Sequence, residues 1–293
     1  GLCGGGGPGP GGVSFRGGVG CNPRGLAGGL CVTGSHTQAG LRAETGKCGR
    51  GNFRPAGNLN ISFEWGLQGV RSLAPQSDVV VIVDVLSFST AVDIALAHGA
   101  EILPYRWKDA SADQYARSKG ALLAGPRSTC AGYSLSPASL ESMRPGETLV
   151  LPSPNGSSLS LAAAAMASTY SACLRNAGAV AGHLSLASQR IAIVAAGEQW
   201  DDGSLRPCVE DLIGAGAVIA GLRGTLSPEA EVAVAAFERF RNHLYEALRE
   251  CVSGRELVER GFAQDVEMAA DYAVSEGVPL FRTDRFTRVV QTT

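Results

Sequence analysis

Val79-Val-Val-Ile-Val-Asp-Val-Leu86, followed by Ser87-Phe-Ser-Thr-Ala-Val-Asp-Ile-Ala-Leu-Ala-His98 and Gly99, decides the fold. The first eight residues are β-branched almost throughout and show no polar alternation, so they read as a strand buried on both faces. Ser89 to His98 has helical spacing and stops at a glycine. A strand covered on both faces, leading directly into a helix, belongs to a sheet with helices packed on either side.

The same alternation continues outward. Glu101 to Tyr105 predicts a strand, Ala110 to Lys119 a polar helix stopped by Gly120, and Ala121 to Ala124 another strand. Thr148 to Leu151 predicts a strand that leads through Pro152-Ser-Pro-Asn-Gly156 into an Ala-rich helix from Ser158 to Ala167. Arg190 to Ala196 reads as a further buried strand and Val209 to Leu222 as a helix. The last quarter is helical: Ser227-Pro-Glu229 is a helix start, and Ala233, Phe237, Phe240, Leu244 and Leu248 fall on one apolar stripe. Ser253-Gly-Arg-Glu256 reads as a capping box opening a helix that Gly261 interrupts. Val278 to Phe281 and Arg288 to Val290 are candidate closing strands. The expectation is an α/β fold, layered α/β/α, with a largely parallel or mixed sheet and a helical C-terminal quarter.

Composition narrows the class. The chain has 293 residues, 45% of them apolar and 6% aromatic, with a formal charge of -2. Apolar runs are far shorter than the ~18 to 20 residues of a membrane span, so no membrane partner is expected. The absence of a basic excess excludes a nucleic-acid footprint. Residues 1–57 hold 20 of the 39 glycines, four of the eight cysteines and one acid, Glu44, against six basic residues. Such a segment buries too little to offset its backbone entropy, so it is expected to be a Gly-rich tail or an extension outside the functional protein. Residues 58–293 then form the α/β domain, with 19 basic and 26 acidic side chains. The start shows no charged region leading into an apolar one, so a cytoplasmic location is expected. The cysteines lack the patterned spacing of a disulfide framework or zinc site.

Three features carry chemistry. The first is an echo: a strand followed by Ser87-Phe-Ser-Thr90 and an Ala-rich helix, and a strand followed by Asn155-Gly-Ser-Ser158 and another Ala-rich helix. Turns at the carboxyl edge of a parallel sheet present backbone N–H groups and helix dipoles to anions. Ser87, Ser89, Thr90, Ser157 and Ser158 add hydroxyls, and Gly156 permits close backbone approach; the same residue types also cap helices. The second is Asp84, a carboxylate at the end of an apolar strand, where burial is costly without a cation or hydrogen-bond partner. The third is Glu210-Asp211, paired acids at a helix start that suit Mg²⁺ and that the helix dipole alone would also favour. Glu198 and Asp265 are weaker candidates.

Several blocks in sequence resemble the magnesium-dependent 2-phosphosulfolactate phosphatases, a family known from coenzyme M biosynthesis. They are Val83-Asp-Val-Leu-Ser-Phe-Ser-Thr-Ala91, Leu123-Ala-Gly-Pro-Arg127, Leu135-Ser-Pro137, Pro154-Asn-Gly-Ser157, Val194-Ala-Ala-Gly197, Val209-Glu-Asp-Leu212 and Gln264-Asp-Val266. The resemblance spans about Phe63 to Val290. Gly125-Pro126-Arg127 stands where the family carries Gly-Glu-Arg, so an acid is missing beside the arginine. The resemblance implies hydrolysis of a small anionic phosphate monoester to a 2-hydroxy acid and phosphate. Mg²⁺ would sit on Asp84 with Glu210 or Asp211, and the two turns would cradle the phosphoryl group. Arg127 would pair with its oxygens or with a second acidic group, and Asp84, Arg127 and Asn155 would carry the chemistry. Either a water attacks in line or Asp84 is a covalent nucleophile. A non-catalytic protein that keeps the anion cradle is the alternative, favoured by Pro126, and a homodimer stays open.

Overall fold

The computed structural model describes residues 61–107, 109–128, 132–186 and 190–289. Expectations that fall on residues 1–57, Cys130 and Val290 lie outside these. The first half of the chain contains β1 (Ile61–Trp65), α1 (Gly66–Leu73), β2 (Val79–Val83), α2 (Phe88–Ala97), β3 (Glu101–Tyr105), α3 (Ala110–Lys119), β4 (Leu122–Leu123), α4 (Pro137–Leu140) and β5 (Thr148–Pro152). Next come α5 (Gly156–Ala164), β6 (Ser168–Ala172), α6 (Ala177–Leu184), β7 (Ile191–Ala195), the short strands β8 (Glu198–Gln199) and β9 (Leu205–Arg206), and α7 (Val209–Ala220). The chain closes with α8 (Pro228–Phe240), α9 (Leu244–Glu250), α10 (Val252–Glu259), α11 (Ala263–Ala270), β10 (Pro279–Arg282) and β11 (Arg285–Arg288).

One sheet runs in the order β1-β7-β2-β6-β10-β11-β3-β5-β4. β1, β7, β2 and β6 pair in parallel, as do β3, β5 and β4. The β10–β11 hairpin is antiparallel and stands between the two parallel groups. Its two strands provide partners for β6 and β3, which would otherwise present unpaired backbone groups in the middle of the molecule. The sheet is therefore mixed, and the closing strands are central to it.

All five residues of β2 are buried. Val79, Val81 and Val83 join a core that includes α6, α7 and α8, whereas Val80 and Ile82 join one built on α1 and α5. Both faces of β2 are thus covered by helices, which is why its sequence has no polar face. Each fully buried valine or isoleucine stabilises by about 1.5–3 kcal/mol over its exposed state. A third core, around Phe88, Ile102, Leu149, Leu151 and Phe286, packs α2 against β3, β5 and β11.

Local expectations hold closely for β3 and α3, and Ser227 caps α8 by accepting the Ala230 amide at 3.2 Å. Others shift. The Ala-rich helix begins at Gly156, two residues earlier than expected, and ends at Ala164. The apolar stripe is split at residues 241–243, although Ala233, Phe237, Leu244 and Leu248 still share one core. The capping box at Ser253 is not formed. Cys251 is the N-cap of α10, its sulfur accepting the Gly254 amide at 3.3 Å, while Ser253 lies inside the first turn. β1, α1, β6 and α6 lie where periodicity predicts no element. β6 reads Ser-Thr-Tyr-Ser-Ala, buried from Thr169 on, and its Ser171 hydroxyl is satisfied by a tertiary partner, donating to Ser89 Oγ at 3.0 Å. Among the described residues, no helix is long and apolar enough to cross a membrane.

Candidate active site

The carboxyl ends of β2, β5 and β7 converge with the start of α7. Register places Val83 opposite Ala195, so the turns after β2 and β7 leave the sheet side by side, joined by the Ala196 amide to the Val83 carbonyl at 2.8 Å. The turn after β5 reaches them from across the sheet through Asp84.

Asp84 is buried, and each of its oxygens accepts a backbone amide. Oδ1 takes the Phe88 N–H of its own turn at 3.1 Å, and Oδ2 takes the Gly156 N–H of the turn after β5 at 3.0 Å. This second bond joins the two turns of the sequence echo at one point. Gly156 is required there for close approach: a Cβ would lie 2.3 Å from the Phe88 ring. The hydroxyls of the echo serve the turns themselves. Ser89 donates to the Ile82 carbonyl and accepts the Asp84 amide, Thr90 donates to Val85, and Ser157 donates to Leu151. These three side chains are fully buried, and Ser158 is half-buried. Ser87 sits at the turn after β2, where its Oγ accepts from Arg127 at 2.7 Å.

Asp211 acts as a second clamp. Its Oδ1 accepts the Val85 amide at 2.7 Å and its Oδ2 the Gly197 amide at 2.8 Å, so one carboxylate binds the ends of β2 and β7 to the first turn of α7. Gly197 has a φ of 65°, and the left-handed turn aims its amide at that carboxylate. Glu210, beside it, is equally buried. Asn155 donates to Glu198 at 2.8 Å and so links the turn after β5 to the turn after β7.

These acids affect one another. Burial, followed by the charges of Glu198 and Glu210, pushes the Asp84 carboxyl up to about 7. Asp211 is raised well above the ordinary carboxylate range by burial, then by Asp84 and Glu210. Asp84 thus feels the charges of Glu198 and Glu210, and Asp211 those of Asp84 and Glu210, so the backbone donors to the two aspartates do not offset the negative charge around them. The all-oxygen chemistry of these acids suits a hard divalent cation. Among the described residues no three such side chains stand as a closed ligand set.

Arg127 approaches from the segment after β4. Its guanidinium donates to Ser87 Oγ and, at 3.0 Å, to the Leu135 carbonyl, while its Nε faces Asp265 Oδ2 at 3.6 Å. Burial lowers its pKa, with Asp265 opposing that shift. Asp265 is fixed by the Ser136 hydroxyl and the Ala138 amide. Asp84 and Gly156 thus meet directly, with Asn155 next to them in the chain and Asp211 on the amide of Val85, while Glu210 acts on Asp84 and Asp211 only through its charge; Arg127 reaches the turn after β2 through Ser87. Glu198 and Asp265 are more deeply involved than their sequence positions suggest. Both are held by side chains from remote segments, which no local pattern reveals.

Two cavities flank this centre. One, of about 580 Å³, is lined by Arg127, Arg260, Phe262, Asp109 and Pro126 among others. The other, of about 670 Å³, is lined by Asn155, Glu198, Arg106, Trp65 and Trp107 among others.

A family model described as 2-phosphosulpholactate phosphatase matches residues 70–284. The 2-phosphosulfolactate phosphatase of Methanothermobacter thermautotrophicus is 31% identical over 212 residues, which cover 71% of this chain and 89% of that protein. A probable 2-phosphosulfolactate phosphatase of Carboxydothermus hydrogenoformans is also 31% identical, over 70% of this chain and 86% of the other. A third, from Thermotoga maritima, is 27% identical over 71% and 92%.

Proposed function

The chain belongs to the 2-phosphosulpholactate phosphatase family, and on that premise we propose that it is a phosphoric monoester hydrolase acting on 2-phosphosulfolactate or a closely related phosphorylated 2-hydroxy acid. The observation that supports this reading best is the meeting of two strand-end turns at Asp84, with Arg127 held against one of them and Glu198 against the other. Phosphoryl transfer needs mainly positioning and charge stabilisation, and this arrangement offers both.

Asp84 and Glu210 or Asp211 are the residues that would hold Mg²⁺, with Glu198 beside them. Bound there, the ion would offset charge on the phosphoryl oxygens. Arg127 would orient those oxygens, its own position fixed by Ser87, Leu135 and Asp265. Asn155 holds Glu198 in place. A nucleophile attacks phosphorus, the ester P–O bond breaks, and the departing alkoxide takes a proton to give the hydroxy acid. Asp84, fixed by two amides, either accepts a proton from an attacking water, whose oxygen leaves in the phosphate, or attacks phosphorus itself. In the second case a water then cleaves the resulting acyl phosphate, releasing inorganic phosphate and restoring the carboxylate.

The test is phosphate release from 2-phosphosulfolactate by the wild type and by Asp84→Asn, each with and without Mg²⁺, after circular dichroism has shown that the variant folds. Mg²⁺-dependent release that the variant loses supports the assignment. Near-normal release from the variant overturns it. Saturable binding of the substrate by the wild type, with no release, supports the non-catalytic alternative.

A further inference from the structure

The cavity beside Arg127 has a charge imbalance that the phosphoryl centre does not explain. Two of its lining residues are guanidinium-bearing, Arg127 and Arg260. After burial, the charge of Arg260 is among the causes that lower the pKa of Arg127. Arg127 has Asp265 for a counter-charge. Among the described residues Arg260 has no carboxylate partner within salt-bridge distance; its Nε donates only to the Glu256 carbonyl one turn back at the end of α10. Asp109 is the one acid that lines the cavity, and its carboxylate already accepts the Ser111 amide and hydroxyl as the N-cap of α3. Pro126, at the rim, adds no charge. Apart from Ser128 the remaining lining carries no polar side chain, and the Phe262 ring lies 5.7 Å from the Arg127 guanidinium. An arginine without a carboxylate partner, lining a partly apolar cavity together with a second arginine, is a recognition element for an oxyanion.

We propose that Arg260, with Arg127, holds the second acidic group of the substrate, a carboxylate or sulfonate, while the phosphoryl group lies towards Asp84. This rests on the phosphatase reading above. Arg127 stands between the two ends, because the hydrogen bond that ties it to Ser87 places it against the phosphoryl turn while it lines the same cavity as Arg260. Arg260 is then the residue that selects a polyanionic monoester over a simple one. Its exposure at a helix end means that replacing it leaves the core untouched.

The test compares wild type with Arg260→Gln on three substrates: 2-phosphosulfolactate, 2-phospholactate, which lacks the sulfonate, and phenyl phosphate, which has neither second acid. The variant is expected to lose about tenfold or more of kcat/KM on the first, mainly through KM, and far less on phenyl phosphate. A loss on 2-phospholactate as well assigns the subsite to the carboxylate; a loss confined to 2-phosphosulfolactate assigns it to the sulfonate. Equal losses on all three, or none, overturn the proposal. Calorimetric titration with sulfolactate reads the subsite without turnover. Binding weakened about tenfold by Arg260→Gln supports it even if no phosphate is released from any ester. Unchanged sulfolactate binding, or none by the wild type, overturns it.

Discussion

The Gly156 amide donates to Asp84 Oδ2 at 3.0 Å, joining two turns whose residues are 72 positions apart in the chain. The strands before those turns, β2 and β5, are not neighbours: β6, β10, β11 and β3 lie between them in the sheet. The bond therefore spans the boundary between the two parallel groups and fixes the acid on which the site is centred.

Gly156→Ala breaks that junction. The added methyl would meet the Phe88 ring and Cβ at 2.3 to 2.6 Å, and Phe88 is itself fully buried. Overpacking of this kind costs about 1–3 kcal/mol. The expected outcome is a lowered urea midpoint together with a loss of phosphate release larger than the stability change accounts for, since Asp84 is displaced. A variant with wild-type stability and rate would show that the contact is not needed.

The metal-free protein should be more stable at pH 5 than at pH 8 through Asp84. Its carboxyl stands at about 7 in the folded protein against 3.8 ordinarily, because burial and neighbouring acids penalise the charged form. A raised folded-state pKa gives stability that is full below about 4 and is lost as pH rises towards and through 7. Thermal melts across pH 4 to 8, without divalent cations, measure the slope. Asp84→Asn should flatten it, and Mg²⁺ should flatten it in the wild type. An equal slope in wild type and variant would remove Asp84 as its source.

Asp211→Ala leaves the buried amides of Val85 and Gly197 without their acceptor. Unsatisfied buried donors cost about 1–3 kcal/mol each, so chemical denaturation should show a loss of about 2 kcal/mol or more. Asp211→Asn keeps an amide oxygen for one donor and should lose less. If the two variants unfold at the same denaturant concentration, the clamp is not what stabilises the ends of β2 and β7.

Arg127→Lys retains the charge but not the planar fork that reaches Ser87, Leu135 and Asp265 together. A single ammonium cannot hold all three, and misplacement by an ångström can lower kcat/KM by about a hundredfold. Asp265 keeps its bonds from Ser136 and Ala138, so the melting temperature should change little. Steady-state kinetics on 2-phosphosulfolactate decide the matter. A loss below threefold would show that charge alone suffices.

Local signals made β2, β3, α3 and the Ser227 cap legible, because each depends on side-chain periodicity or on a contact within three residues. They also marked Asp84, the paired acids of α7 and both turns, since a polar residue that ends an apolar run is visible without a structure. β6 and α6 were not legible. Their hydroxyls, alanines and glycines become core only when neighbouring strands satisfy and cover them.

By itself the amino-acid sequence determined an α/β fold with acids and hydroxyl-bearing turns at strand ends. Tertiary structure alone decided that the turns meet and that the turn hydroxyls serve the backbone. It also drew in Glu198 and Asp265, and paired Arg260 with Arg127 around one cavity. The physical reason is that these contacts depend on strand order and on a hairpin inserted from the C-terminus. Both are set by the packing of the whole chain, and neither leaves a pattern within any one segment.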